Sequence, residues 1–542
     1  MTTAKKRWPP NRDEKPYREV MDLIHGTIPL PHPIDLIVDT PEFQRLRHIK
    51  QLGMTSSVYP NCDHSRFVHS LGVYHLARRF VRAIAERSSA VIVTNADELC
   101  VSIAGLCHDL GHGPFSHFFD GAFMPTVDPA SRWRHETGSI LLLERIFEYS
   151  WVRKALLEYL HEEDFIFIRE LIDPPSERFT EEGEWNYRGR PLEKSFLYDI
   201  VSNSIDSVDV DKFDYLLRDS HHAAIAIPFN QNSVMRLMDW MRPLEVTEEL
   251  SYGRLVKYSR ICYAIKVCDD VDSVGQSRYA LHEKIYSHHT VRAYEYMISQ
   301  ALMIADRYLL FKGDDQRMYA LSGAHRNMAA FMRTDDSVIQ MIENSSLDGL
   351  AEPRRILSDL KFRRLPKLVG STTLRDGDEC TQKFPTKSRP SKKILFAPVK
   401  LSRKEASYEL GGYNKHFQVR VMHRGMGTQK HPMSEVLFYN HKAPPQEMEP
   451  FRIDRALLKH KSPTVGGSKS VMVYLTSSAA VKSGAKRIAS ELFNAIEKFS
   501  RDGNHEKPIA RIRRSRCRAD VTCARLNDQA ANDDTLGGVR SA

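Results

Sequence analysis

Apolar residues recur at helical spacing through most of the first 320 residues of the chain. Over Phe67–Arg87, Val68, Leu71, Leu76, Phe80 and Ile84 line one face of a helix whose opposite side is charged. Gly138–Leu160 repeats the pattern, and Phe196–Arg218 and Val291–Leu310 read as further long helices. Leu99–Cys107 is apolar enough for a buried helix, which Gly111, Gly113 and Pro114 then stop. Past residue 392 the period drops toward two. Lys393–Leu401, Phe417–Met422 and Ser470–Leu475 read as strands, followed by an amphipathic helix over Ala479–Phe499. Between the two regimes, residues 370–392 turn to Ser, Thr, Lys, Asp and Pro, as an exposed loop does. The pattern predicts a mainly α protein with a smaller α+β lobe at its C-terminal end. The expected division is a flexible arm at 1–15, a helical domain at 16–320, an α+β regulatory or oligomerisation lobe at 321–500 and a disordered basic tail at 501–542.

Composition narrows the setting. With 542 residues, 42% of them hydrophobic, the chain can bury a large core in more than one lobe. No apolar run reaches the roughly 20 residues that a membrane helix needs. The opening Met-Thr-Thr-Ala-Lys-Lys-Arg-Trp-Pro-Pro lacks the apolar core of a secretory signal. The eight cysteines are scattered and form no CxxC pair, so they read as buried thiols, Cys107 included, in a reducing compartment. The net charge of +9 suits polyanionic partners. Much of it lies in the tail segment Arg511-Ile-Arg-Arg-Ser-Arg-Cys-Arg518. That segment fits a solvated tail, a nuclear-import signal or a patch for single-stranded nucleic acid. The expected location is intracellular, nuclear or cytoplasmic, with the nucleus favoured.

Candidate chemistry concentrates in Ala104-Gly-Leu-Cys-His-Asp-Leu-Gly-His-Gly-Pro-Phe-Ser-His117. His108-Asp109 offers nitrogen and oxygen to one metal ion, and His112 and His117 follow closely. His69 in Arg66–Gly72 and Asp211 in Asp209–Tyr215 add a second imidazole and a second carboxylate. Singly, His69 would pass for a core histidine and Asp211 for a surface carboxylate. Together two His and two Asp form a mixed set suited to Fe, Mn, Zn or Mg rather than to a thiolate-loving ion. Such an ion lowers the pKa of bound water and polarises phosphoryl oxygens.

The order H…HD…D resembles the HD-domain phosphohydrolase superfamily, with His69, His108, Asp109 and Asp211 at its ligand positions. Phe43–Gly53, His64–Gly72, Cys107–His117 and Asp209–Tyr215 are more specific. They resemble the sterile-alpha-motif and HD-domain dNTP triphosphohydrolase family, over about residues 16–475 and without a preceding sterile-alpha-motif domain. The fold expected is then a helical HD-domain catalytic lobe with the smaller α+β lobe after it.

The resemblance implies hydrolysis of a dNTP to deoxynucleoside and inorganic triphosphate. It implies one transition metal (Fe, Zn or Mn) at the HD site and Mg²⁺ carried with the substrate. Arg66, Lys212 and Arg278 would face the phosphates, aided by His112, His117 and Tyr215. His135 matches a catalytic histidine and, with Asp120 and His112, would orient and charge the reacting groups; His117 is the candidate general acid because an ordinary imidazole titrates near 6.5, with the other histidines as alternative donors. Leu52 and Tyr286 would exclude a 2′-hydroxyl, with Gln51 and Asp219 as polar contacts to the nucleoside. Family members form homotetramers driven by GTP and dNTP effectors. Arg18, Asp39, Gln44 and Arg47 match the guanine-selecting pocket, and Arg236, Lys266, Arg363 and Lys367 match basic positions of a second pocket. Met21, Ala264 and Asp270 depart from the second pattern, which predicts weakened activation there. Two other readings fit fewer of these residues: an HD phosphohydrolase acting on other nucleotides, and a nucleic-acid-binding protein using the basic surface.

Overall fold

The chain is described from a computed structural model, over residues 5–10, 17–88, 91–250, 253–374, 417–425, 432–453 and 467–475. Contacts divide it into two units. One comprises Met1–Lys367 with Met422–Ser470, and the other Leu368–Val421 with Val471–Ala542.

The first unit is built on helices. The hairpin β1 (Tyr17–Asp22) and β2 (Gly26–Pro31) precedes α1 (Arg66–Arg87), which packs along α2 (Asn95–Cys107). Phe67, Leu71, Leu76, Phe80 and Ile84 are buried on α1 as their spacing requires, with Val68 half-buried. The two helices come close because Gly105 has no side chain: a Cβ there would lie 2.9 Å from that of Ala77. A capping box starts α2, in which Thr94 Oγ1 accepts from Asp97 N (3.2 Å) and Asp97 Oδ2 accepts from Thr94 N (2.8 Å). After α2 come α3 (His135–Glu148), α4 (Glu162–Ile172) and α5 (Val210–Ala223), with α4 against α2 and α5 against α1. The antiparallel pair β3 (Met241–Glu249) and β4 (Leu255–Ala264) leads to α6 (Cys268–Leu281) and α7 (His289–Ala305). Helix α8 (Ala351–Lys361) packs on α7.

Strands β5 (Lys367–Leu374), β6 (Phe417–Gly425) and β8 (Gly467–Leu475) make a three-stranded sheet in the order β5–β8–β6. Within the first unit the short β7 (Phe438–Tyr439) pairs in parallel with β4. No helix among the described residues is long and apolar enough to cross a membrane.

The mainly α class with a small sheet-bearing lobe agrees with the sequence reading. Four details differ. Residues 5–10 are not a free arm, because Trp8 is buried, donates from Nε1 to His32 O (3.1 Å) and stacks under Arg78. Gly138–Leu160 is two helices, α3 and Ser150–Leu156, separated by extended backbone at Tyr149. Each piece buries its own apolar set, so the periodicity runs through the break. Phe196–Arg218 is likewise divided into a 3₁₀ segment (Leu192–Asp199) and α5. Asn203 and Asp206 bind nearby backbone N–H groups between them, Ser207 adopts a positive φ, and Asp209 caps α5. Residues 321–367, expected in the C-terminal lobe, pack with the first unit: Phe331, Val338, Ile342 and Leu357 join its core. The strand at Phe417–Met422 falls within β6 and that at Ser470–Leu475 within β8. Lys393–Leu401, Ala479–Phe499, the basic tail and residues 375–392 of the expected loop lie outside the described residues.

Candidate active site

Three helix ends deliver the HD residues. His69 is in the first turn of α1, His108 and Asp109 follow the last residue of α2, and Asp211 is in the first turn of α5. His69 Nε2 lies 3.3 Å from Asp109 Oδ2 and 3.1 Å from Asp211 Oδ1. His108 Nε2 lies 3.4 and 3.6 Å from the same two oxygens. The far side of each ring is already used. His69 Nδ1 bonds Asp214 Oδ2 at 2.7 Å and His108 Nδ1 bonds Gly105 O at 2.9 Å. Both Nε2 atoms are buried without a hydrogen-bond partner. Two orphaned imidazole nitrogens aimed at two carboxylates are unfavourable unless a cation joins them. The set therefore fits one divalent transition metal, with the Nδ1 partners fixing the metal-binding tautomer. Burial alone would raise the Asp109 carboxyl, but Arg66 and the neighbouring imidazoles hold it well below the usual range.

A second cluster adjoins it. His112 and His135 stack with centroids 4.0 Å apart, and His135 Nδ1 meets Asp120 Oδ2 at 2.6 Å. His117 stands at the rim, 5.2 Å from His135 between ring centroids. Donor atoms of His112, His117, Asp120 and His135 lie within 4.8 Å of one another. The loop from α2 can approach α3 this closely because of Gly111, where a Cβ would sit 2.1 Å from His135 O. Ser139 Oγ locks the approach, accepting from Gly111 N (2.9 Å) and donating to His108 O (2.6 Å). Burial lowers the pKa of His112, and the Arg66 charge lowers it further. Burial would lower His135 too, but the Asp120 hydrogen bond and charge outweigh it and raise the value above 6.5. The Asp120 contact thus sets His135 apart from the other histidines of this cluster.

The expected phosphate contacts are all held by local partners. Arg66 is buried, donating from Nη1 to Asp109 Oδ2 (2.5 Å) and from Nε to Ser116 Oγ (2.8 Å). Lys212 Nζ meets Asp209 Oδ2 at 2.9 Å, and Arg278 donates to the Tyr215 hydroxyl. On the nucleoside side, Asp219 accepts from Tyr286 OH (2.6 Å) and faces His64 Nε2 (2.9 Å), while Gln51 N donates to His64 O (2.9 Å). Leu52 adjoins Gly53, whose positive φ and close approach to Phe115 O (2.8 Å from a would-be Cβ) seat this loop on the HD loop. Asp336 spans both, accepting from Phe115 N (2.6 Å) and Lys50 N (3.0 Å).

Of the expected effector positions, Arg18 pairs with Asp39 (2.8 Å) and Arg47 donates to Gln44 Oε1 (2.7 Å). Gln44 itself donates to Val38 O (2.7 Å), so the four residues share one surface. In the second set Arg236 pairs with Asp270 (2.8 Å), and Lys266 Nζ lies 2.8 Å from the centre of the Trp240 ring. Ala264 is fully buried and Met21 exposed. Arg363 takes a positive φ and donates to Ser57 O (3.3 Å), and Lys367 begins β5.

The HD domain family matches residues 66–216, the span from Arg66 to just past Tyr215. Curated relatives carry the similarity much further. Deoxynucleoside triphosphate triphosphohydrolase SAMHD1 from Bos taurus is 37% identical over 433 residues, 78% of this chain and 69% of the relative. The chain belongs to the SAMHD1 family. The SAMHD1 proteins of Danio rerio and Homo sapiens are each 38% identical, over 78% of this chain and 66% and 65% of their own lengths. The chain thus spans just under two thirds of those two SAMHD1 relatives.

Beyond the residues singled out from sequence, the SAMHD1-like site relies on Asp214, Arg45 and Asp336. Asp214 holds His69, and Arg45 donates to His112 O (2.8 Å) and Thr334 O (3.0 and 2.7 Å). Asp214, three residues after Asp211 and four before Arg218, shares a helix face with both, which is the signal that could have found it.

Proposed function

We propose that the chain hydrolyses deoxynucleoside triphosphates to deoxynucleoside and inorganic triphosphate, as the names of its SAMHD1 relatives state for them. The observation that carries this reading is the HD donor set standing beside an Asp120-held His135 and the Arg66–Ser116 brace. His69, His108, Asp109 and Asp211 would hold Fe, Zn or Mn. When bound, such an ion activates water and polarises the α-phosphoryl group, with Mg²⁺ accompanying the triphosphate.

The chain's own groups supply the rest. Arg66, Lys212 and Arg278, now tied to Asp109, Asp209 and Tyr215, turn toward the triphosphate as it enters. His112 and His117 would add single hydrogen bonds to the phosphates. His135, whose pKa the Asp120 contact raises, is the proton source for the leaving deoxynucleoside oxygen. Leu52 and Tyr286 crowd the sugar, and the Tyr286–Asp219–His64 chain with Gln51 leaves an added 2′-hydroxyl unpaired.

GTP would replace Arg18 as the partner of Asp39, whose carboxylate can accept from guanine N1–H and the exocyclic amine, and would promote a homotetramer. The Arg236–Asp270 pair supports weak use of the second effector set. The protein would act on intracellular dNTP pools, with the nucleus as favoured location.

Incubation of purified protein with dGTP, GTP and Mn²⁺ or Mg²⁺ tests the reading. Deoxyguanosine and intact triphosphate are expected. Release of orthophosphate or pyrophosphate alone contradicts it.

A further inference from the structure

The hairpin β1–β2 is remote in sequence from the HD residues, yet its turn ends on the carboxylate that holds one of them, His69. Asp22 closes the turn by accepting from Ile24 N and His25 N, both at 2.9 Å. This points His25 inward, where Nε2 meets Asp214 Oδ1 at 2.7 Å. The other oxygen of Asp214 binds His69 Nδ1, also at 2.7 Å. Arg218 closes the group, donating to both oxygens of Asp214 (2.9 Å each) and to both of Asp22 (2.9 and 3.2 Å). All five side chains are at least nine-tenths buried. Gly72 leaves the room they need, since a Cβ there would lie 1.9 Å from Asp214 Oδ1.

Each carboxylate oxygen of Asp214 thus serves one histidine. With Arg218 fixing its plane, the carboxylate cannot shift at His25 without shifting at His69. A buried, doubly anchored carboxylate of this kind sets the orientation and basicity of the imidazole that it holds.

We propose that His25, acting through Asp214, is a positioning residue for the metal centre, so that the β1–β2 turn sets how tightly His69 and its partners hold their ion. The inference rests on the reading of His69, His108, Asp109 and Asp211 as one metal site.

Full-length wild-type protein and the variants His25→Leu and His25→Gln are stripped of metal, reloaded with Mn²⁺ and titrated against a chelator. Helical circular dichroism is followed in parallel. His25→Leu removes the donor to Asp214 and should weaken Mn²⁺ binding about tenfold at unchanged helicity. His25→Gln keeps an N–H in reach and should restore binding to within about twofold. Should His25→Leu fail to fold, Asp214→Asn reads the same link, with an expected loss of about 10- to 100-fold. Equal Mn²⁺ affinity in wild type and His25→Leu overturns the proposal, as does an equal loss in the Leu and Gln variants or an unchanged affinity in Asp214→Asn. No nucleotide enters the measurement, so its failure is separate from any failure to hydrolyse dNTPs.

Discussion

Replacing Gly72 by Ala tests the packing beneath the metal centre with a single methyl group. On an exposed helix the change would stabilise by about 1 kcal/mol, since Gly is a poor helix former. Here the added Cβ would lie 1.9 Å from Asp214 Oδ1, 2.6 Å from Asp214 Cγ and 2.5 Å from Arg218 Nη2. Ordinary contact requires about 3.5 Å, so the carboxylate must withdraw by about 1.5 Å. His25, His69 and Arg218 all bond that carboxylate at 2.7–2.9 Å, and a shift of this size breaks most of the set. Overpacking costs about 1–3 kcal/mol, and disrupting a buried ion-pair network about 3–5. The expected loss of about 4–8 kcal/mol is a large part of the 5–15 that a domain typically has. Urea unfolding followed by circular dichroism, with metal content measured on the same samples, reads both consequences. A Gly72→Ala protein of unchanged or raised stability that keeps its metal would refute the reasoning.

Asp211→Ala removes a partly exposed candidate ligand and should leave helicity intact while metal binding weakens by more than the about 100-fold that changes outside the ligand set cause; metal analysis after gel filtration checks this. The pKa of His135 lies above 6.5, so the cationic donor is lost, and turnover falls, as pH rises through that value. Asp120→Asn removes the raising contribution and should move this alkaline limb to lower pH, and a pH–kcat profile with an unmoved limb would sink the assignment. Burial raises Asp336 from its ordinary 3.8 to about 6, so the folded protein keeps a proton that the unfolded chain has released, and stability falls as pH rises across that window. In Asp336→Asn this contribution is absent, which urea titrations from about pH 4 to 7 would show as a flatter profile. Asp270→Asn frees Arg236 from its 2.8 Å partner and should lower the nucleotide concentration needed for tetramer formation in sedimentation with GTP and a dNTP; an unchanged requirement counts against the weakened second pocket.

The helical class was legible in the apolar spacing, because one buried stripe per helix is a local property of the chain. Where that reading failed, the cause was equally local. Tyr149 interrupts a helix without interrupting the stripe, and Asn203, Asp206 and Asp209 divert backbone N–H groups to side chains between Asp199 and Val210. The candidate donor residues were legible too, since metal chemistry restricts residue type, and folding brings His69, His108, Asp109 and Asp211 together.

Other features belong to the tertiary structure. Which way the histidine pKa values move depends on Asp120 lying against His135 and on Arg66 being buried close to His112, and both are products of packing. The same holds for Asp336, which reaches the HD loop from a segment more than 200 residues away, and for Trp8, which pins a stretch that composition marks as a free arm. The sequence by itself determined the helical architecture and the candidate donor residues of the HD cluster, because spacing and side-chain chemistry are written residue by residue. Only the tertiary structure decided which way the histidine pKa values move and that the β1–β2 turn is wired to His69, because a pKa and a shared carboxylate depend on which groups folding brings within about 3 Å.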